Sequence, residues 1–248
     1  ETIKFTDKFS LTYANDALRR DSRMGDKKIR NVDYGNKKMA FHSEASFAPS
    51  WPEIVWFYCK DIANNSKGAT TFCDGIKLWD SLSIETKDFF LHTPIKYNLD
   101  IPILKKKINS KKKPWFLNIE GAGKGLIDFN KGSLKINQTR FAVQQSRILN
   151  KLCFSNHVLY KNTDPTILKW GTIFGKKIPK KILNEVNEKS EKITYGHEWT
   201  KGDFIMMDNQ RFLHGRKGHN IRDKRDIVVI QTLLANFGYG STTRKISE

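Results

Sequence analysis

Apolar positions are unevenly spaced along the 248 residues of the chain. The densest run is Ile54-Val55-Trp56-Phe57-Tyr58-Cys59. It is rich in β-branched and aromatic residues, which predicts a buried strand. Asn64-Asn65-Ser66-Lys67-Gly68 follows as a turn, and Thr70-Thr71-Phe72-Cys73 reads as the next strand. Asp74 can cap a short helix carrying Ile76, Leu78, Trp79 and Leu82, and Ser83 can cap another through Phe90. Pro179 opens an amphipathic helix with Ile182, Leu183 and Val186 on one face. Gly202-Asp203 is a turn before a strand at Phe204–Met207, and Asp226–Leu234 forms a final strand. Residues 1–40 are polar and charged, with a strand-like start at Thr2–Phe5. Lys105–Lys135 is irregular, glycine-rich and lysine-rich, and residues 94–150 read as an insertion or lid.

This order is mainly β with inserted helices. Many short strands separated by turns fit a double-stranded β-helix, that is, a cupin-like jelly roll. Periodicity alone fits an α+β sandwich equally well. One domain over 1–248 is expected, with a shortened or missing N-terminal segment. Hydrophobic residues at 38% and aromatics at 12% suit a packed core and exclude a disordered chain. The run at Ile54–Cys59 is far too short to cross a bilayer. Cys59, Cys73 and Cys153 lack CxxC spacing and read as reduced, packed thiols of a cytoplasmic protein. The sequon Asn137-Gln138-Thr139 is taken as incidental. A net charge of +18 is concentrated in Lys105, Lys106, Lys107, Lys111, Lys112 and Lys113 and in Lys176, Lys177, Lys180 and Lys181. Such a field attracts nucleic acid, a membrane surface or an acidic protein, or is simply a solvated lysine-rich face.

Candidate chemistry sits in two places. His42-Ser43-Glu44, on a strand, sends an imidazole and a carboxylate to one face. His214 arrives just beyond a strand, in Asp208-Asn209-Gln210-Arg211-Phe212-Leu213-His214-Gly215-Arg216. Two histidines and one carboxylate on one side of a metal make the facial triad of non-haem iron(II) oxygenases, with positions left for co-substrate and oxygen. A His-x-Glu tripeptide alone arises by chance, so context decides. Thr70 lies 28 residues after His42 (70 − 42), and Arg225 lies 11 after His214 (225 − 214). A dicarboxylate held to iron at one end needs a hydroxyl and a cation at the other, and a planar guanidinium suits a carboxylate. His92, His157, His197 and His219 lack metal-ligand spacing and read as structural or exposed.

These motifs resemble a known family. Phe41 to Pro52 with His42-Ser43-Glu44, then Trp56-Phe57-Tyr58-Cys59, then Gly68-Ala69-Thr70, resembles the taurine dioxygenase (TauD/TfdA) superfamily, closest to its clavaminate synthase-like and syringomycin-biosynthesis-hydroxylase-like branch. Gly202-Asp203, Asp208-Asn209 and His214-Gly215-Arg216 resemble the family's second block. The likeness is looser over Phe154–Trp199 and weak over residues 90–150. It implies iron(II) on His42, Glu44 and His214, and 2-oxoglutarate on Thr70 and Arg225, with O2 as second co-substrate. Lys67 departs from the family's paired glycine, and Val229 stands where taurine-specific members carry a second arginine, which argues against a sulfonate substrate. Related halogenases have a small residue where Glu44 stands, so hydroxylation or desaturation is implied over halogenation. An amino-acid-like substrate is implied, free or presented on an acidic carrier protein. Arg216, Phe47 and Trp51 are the candidate substrate contacts, and Asp208 and Asn209 are expected to orient His214. The rival readings are a basic nucleic-acid-binding protein, motivated by the lysine clusters beside Trp115 and Phe116, and a catalytically silent metal-binding barrel.

Overall fold

A computed structural model of the chain describes residues 2–14, 22–32, 35–48, 51–63, 68–102, 125–128, 133–160, 168–220 and 223–236. The expected turn at Asn64–Lys67 and the lysine cluster at 105–113 lie outside these residues, as does much of the expected lid.

The continuous apolar run becomes β5 (Ile54–Ile62), and its burial explains its composition. Ile54 and Trp56 face one hydrophobic cluster, while Val55, Phe57 and Cys59 face another. The neighbouring β16 (Arg225–Ala235) divides in the same way, Val228 and Ile230 to the first cluster and Ile227 and Val229 to the second. Period-two alternation therefore persists with both faces apolar. These strands centre a six-stranded antiparallel sheet. β5 also pairs with β14 (Phe204–Asp208), and β16 also pairs with β3 (Asp26–Asn31) and β1 (Ser10–Tyr13), with β2 (Ser22–Arg23) beyond β3.

A four-stranded sheet, ordered β13 (Tyr195–His197), β6 (Thr70–Asp74), β15 (Phe212–Arg216), β4 (Met39–His42), packs against it. Phe72 from β6 joins Val55, Phe57, Met207, Val229 and Trp199 in the cluster between the two sheets. A second four-stranded sheet runs β12 (Leu168–Thr172), β7 (Ile95–Pro102), β9 (Ser133–Arg140), β8 (Gly125–Asp128), and β10 (Val143–Gln145) pairs with β11 (Leu152–Phe154).

The helices follow their caps. Asp74 accepts from Ile76 N at the start of α2 (Gly75–Ser81), and Ser83 accepts from Thr86 N at the start of α3 (Ile84–His92). Pro179 caps α4 (Lys180–Ile193), whose Ile182, Val186 and Ser190 are buried at four-residue spacing.

Two expectations are corrected. Thr2–Phe5 is not a strand but part of α1 (Thr2–Asp7). Phe5 and Phe9, four apart, pack 5.3 Å from each other and lie 6.2 and 5.8 Å from Trp56, so the outer face of β5 selects the helical spacing. Lys105–Lys135 is not irregular throughout. Gly125–Asp128 and Ser133–Lys135 lie in β8 and β9, which pair with each other. Cross-strand pairing there overrides a composition poor in strand formers. The fold is mainly β with four helices among the described residues.

Candidate functional site

β15 sits between β4 and β6, and this brings the chemistry together. His214 lies opposite His42 on one side and opposite Phe72 on the other. Directly opposed residues of an antiparallel pair share a face. Their rings are 4.3 Å apart between centroids. His214 is therefore inside a strand, not just beyond one as expected.

Glu44 arrives by a different route from the expected one. β4 ends at His42, and residues 44–47 form a turn in which Ala45 has φ of +52°. A non-glycine residue in this region costs on the order of 1–3 kcal/mol and needs its surroundings to hold it. Asn209 provides that hold. Its Oδ1 accepts from Glu44 N at 2.8 Å, and its Nδ2 donates to Glu44 O at 3.0 Å and to Pro52 O at 2.8 Å. Ser43 Oγ donates to Asn209 O at 2.6 Å, and Trp51 Nε1 donates to Ser43 Oγ at 2.8 Å. Asn209 thus positions Glu44 rather than His214, while Asp208 Oδ1 accepts from Gln210 N.

The Glu44 Oε2 lies 3.9 Å from His42 Nε2 and 3.7 Å from His214 Nε2. One ligand atom from each residue falls within 4.8 Å of the other two, and all three residues are buried. His42 Nδ1 lies 2.9 Å from Ala40 O. A carbonyl only accepts, so Nδ1 carries the proton and Nε2 presents its lone pair to the cluster. His157, buried, stands edge-on to His42 at 5.3 Å and to Phe47 at 4.7 Å.

A cavity of about 40 Å³ opens on the cluster. His42, Glu44, His214, Thr70 and Arg225 all border it, and Val32, Met39, Phe57 and Val229 give it apolar walls. Thr70 begins β6 in one sheet and Arg225 begins β16 in the other, so the two reach the cavity from opposite sides of the interface. Arg225 donates from Nε to Gly68 O at 3.2 Å and from Nη2 to Thr70 Oγ1 at 3.3 Å, with no carboxylate partner among the described residues. Burial, and then the neighbouring Arg216 charge, push its pKa down to about 10. Arg216, two residues past His214 on β15 and opposite Thr70, also borders the cavity. Val32, Arg216 and Arg225 are shared with an adjoining cavity of about 270 Å³ that His219 and Arg23 also line.

Phe47 and Trp51 do not stand on these walls. Phe47 is packed into the core behind the turn, and Trp51 is held by Ser43 and by Arg140, whose guanidinium lies 5.2 Å from its ring. Sequence reasoning also missed Trp199, which donates from Nε1 to Thr70 Oγ1 at 2.9 Å. The available signal was its position two residues past a strand that pairs with β6.

The comparisons with known proteins fit this geometry. At 23% identity over 210 residues, covering 82% of this chain, it is similar to a 3-((Z)-2-isocyanoethenyl)-1H-indole synthase of Fischerella ambigua, of which the match spans only 66%. In fold it resembles a putative alpha-ketoglutarate-dependent taurine dioxygenase from Burkholderia xenovorans, with a TM-score of 0.60 at 11% identity, covering 95% of this chain and 73% of that one. It also resembles PvcB from Pseudomonas aeruginosa, with a TM-score of 0.54 at 14% identity, covering 87% of this chain and 67% of that one. The model of one family matches residues 6–231, a span holding His42, Glu44, Thr70, His214 and Arg225, and the chain belongs to that family, the taurine catabolism dioxygenases TauD, TfdA.

Proposed function

We propose that the chain is an iron(II)- and 2-oxoglutarate-dependent dioxygenase that hydroxylates an unactivated C–H bond of an amino-acid-like small molecule. One observation carries this reading: a buried His42–Glu44–His214 cluster shares its cavity with a half-buried arginine that has no acid partner among the described residues. The donor set suits the metal. A buried carboxylate is costly without a cation, and two imidazole nitrogens with one carboxylate oxygen suit non-haem iron(II). Arg225 is the complementary case, a half-buried cation that a carboxylate would satisfy.

Iron(II), once bound, supplies the activation of O2 that is coupled to oxidative decarboxylation of 2-oxoglutarate. The chain supplies position and exclusion. His42, Glu44 and His214 hold the metal, and the Arg225 guanidinium and Thr70 hydroxyl anchor the distal carboxylate of the co-substrate. The adjoining cavity, which shares Val32, Arg216 and Arg225, adds room beside it. Val32, Met39, Phe57 and Val229 exclude water around the reacting carbon.

The apolar Val229 on the wall supports a substrate other than a small sulfonate. A relative named as an isocyanoethenyl-indole synthase, and PvcB, an oxygenase from an isonitrile synthetic pathway, support a small-molecule substrate of a biosynthetic pathway. Arg216 is the candidate contact for its carboxylate. Phe174, 70% exposed beside Lys176, Lys177 and Lys180, suits docking of an acidic carrier protein. Two packed sheets around the cavity support the jelly-roll reading. Arg140 at the end of β9 donates to Ala48 O at 3.0 Å, which supports a lid role over the turn that carries Glu44 for the described part of residues 94–150. Three free, buried cysteines suit a cytoplasmic setting, and no helix among the described residues is long and apolar enough to cross a membrane.

The test is succinate release stimulated by an amino-acid panel. The wild-type chain should respond to at least one member, and His42→Ala should abolish the response. Succinate release retained by His42→Ala would remove the metal assignment.

A further inference from the structure

Thr70 has a hydroxyl with two acceptor positions and one hydrogen to donate. Trp199 Nε1 donates to its Oγ1 at 2.9 Å, and Arg225 Nη2 donates at 3.3 Å. An indole N–H and a guanidinium can only donate, so both acceptor positions are filled. What remains is the O–H hydrogen, and no described residue accepts it. The residue borders the cavity that holds His42, Glu44 and His214.

We propose that Trp199 is a positioning residue for the co-substrate. Its N–H holds the Thr70 hydroxyl as an acceptor on the wall side, and so turns the O–H into a donor aimed at the cavity. The distal carboxylate of 2-oxoglutarate takes that hydrogen bond. This inference rests on the oxygenase reading above.

The surroundings of Trp199 fix its indole. Trp199 is buried, and β13 runs antiparallel to β6 with His197 opposite Thr70. The His197 ring lies edge-on to the indole at 4.7 Å, and His197 Nε2 is 2.9 Å from Asp203 Oδ2. Phe57 bounds another side at 6.4 Å between centroids. Trp199 also fills the core between the sheets, and any large aromatic would do that. Its N–H is the group that bonds Thr70. Without it the hydroxyl is free to turn among its staggered positions, and one of these spends its hydrogen away from the cavity.

The test uses the full chain with iron(II), titrated anaerobically with 2-oxoglutarate and followed by the visible charge-transfer band. Trp199→Phe should raise the half-saturating concentration about tenfold, the size of one hydrogen bond. Iron affinity, measured by chelator competition without 2-oxoglutarate, should not move. Thr70→Val should raise half-saturation further, and adding Trp199→Phe to it should change nothing more, because Trp199 acts through Thr70. Benzothienylalanine at position 199 keeps the shape of indole and lacks its N–H. It should reproduce the tenfold effect, and it carries the test if Trp199→Phe does not fold. Wild-type half-saturation in the benzothienylalanine protein, or additive effects in the double variant, would reduce Trp199 to packing. In that case the wild-type band would still stand. Absence of the band from the wild type would instead overturn the oxygenase reading, and this inference with it.

Discussion

Asn209 closes a reciprocal pair with Glu44, accepting from its backbone N–H and donating to its carbonyl oxygen across 165 positions of sequence. Both residues are buried, and the same Asn209 side chain also donates to Pro52 O. This contact, rather than strand geometry, aims the carboxylate at the two imidazoles. Asn209→Ala leaves a buried backbone N–H without its partner, a loss of about 1–3 kcal/mol. Metal affinity should fall by roughly 10- to 100-fold, as for other partners that orient metal ligands. Urea denaturation measures the first effect and chelator competition the second.

Gly215 is required by close approach. A Cβ there would come 2.6 Å from Met39 O and 2.9 Å from Thr71 Oγ1. Gly215→Ala must push β4 away from β15 and so separate His42 from His214. We expect a destabilisation of about 1–3 kcal/mol. A loss of metal affinity should accompany it, larger than that of any variant of equal stability far from β15. Paired denaturation and chelator-competition curves check this.

Arg225 is the cation that the co-substrate should find. Arg225→Met removes a charge-assisted pair worth about 1.5–3 kcal/mol, or roughly 10- to 100-fold in affinity. Half-saturation by 2-oxoglutarate should rise by that factor with iron affinity unchanged. Arg225→Lys, which keeps the charge and loses the fork, should fall between. Initial-rate kinetics in 2-oxoglutarate separate the three proteins.

Stability should also carry a carboxylate signature away from the site. Burial works against the Asp74 carboxylate, but Arg211 and the N–H of Ile76 outweigh it and hold its pKa below the ordinary 3.8. The Arg211 Nη2–Asp74 Oδ2 contact is 2.5 Å and the Nε–Oδ1 contact 3.1 Å. A folded-state pKa below the unfolded one stabilises the fold above pH 3.8, and that contribution disappears as pH falls through the folded value. Asp74→Asn should therefore melt lower than wild type at neutral pH, by about 1–3 kcal/mol. The gap should close below pH 3.8. Thermal melts at several pH values measure it.

The sequence made some of this legible because some of its signals are local. Caps at Asp74 and Ser83 depend on a few neighbouring residues and are visible without the fold. The run at Ile54–Cys59 is apolar because both faces of β5 are covered, and that is written in composition. Thr70 and Arg225 stand at strand starts, where spacing from the histidines places them. Contacts between distant segments were not legible. Nothing in His42-Ser43-Glu44 reveals that its strand stops at His42, or that Asn209 takes over from there. The helix at Thr2–Asp7 follows from the apolar outer face of β5, which its own residues do not encode. Phe47 and Trp51 lie next to the site in sequence, yet the turn at Ala45 sends them into the wall behind it.

The most direct measurement is anaerobic titration of the chain with iron(II) and 2-oxoglutarate in the visible range. The metal–co-substrate chelate gives a weak charge-transfer band that neither component gives alone. The account predicts this band in the wild type, its loss in Glu44→Ala, and a shift of its midpoint to higher 2-oxoglutarate in Arg225→Met. A wild-type chain that binds neither iron nor 2-oxoglutarate, and shows no band at any concentration, would contradict it.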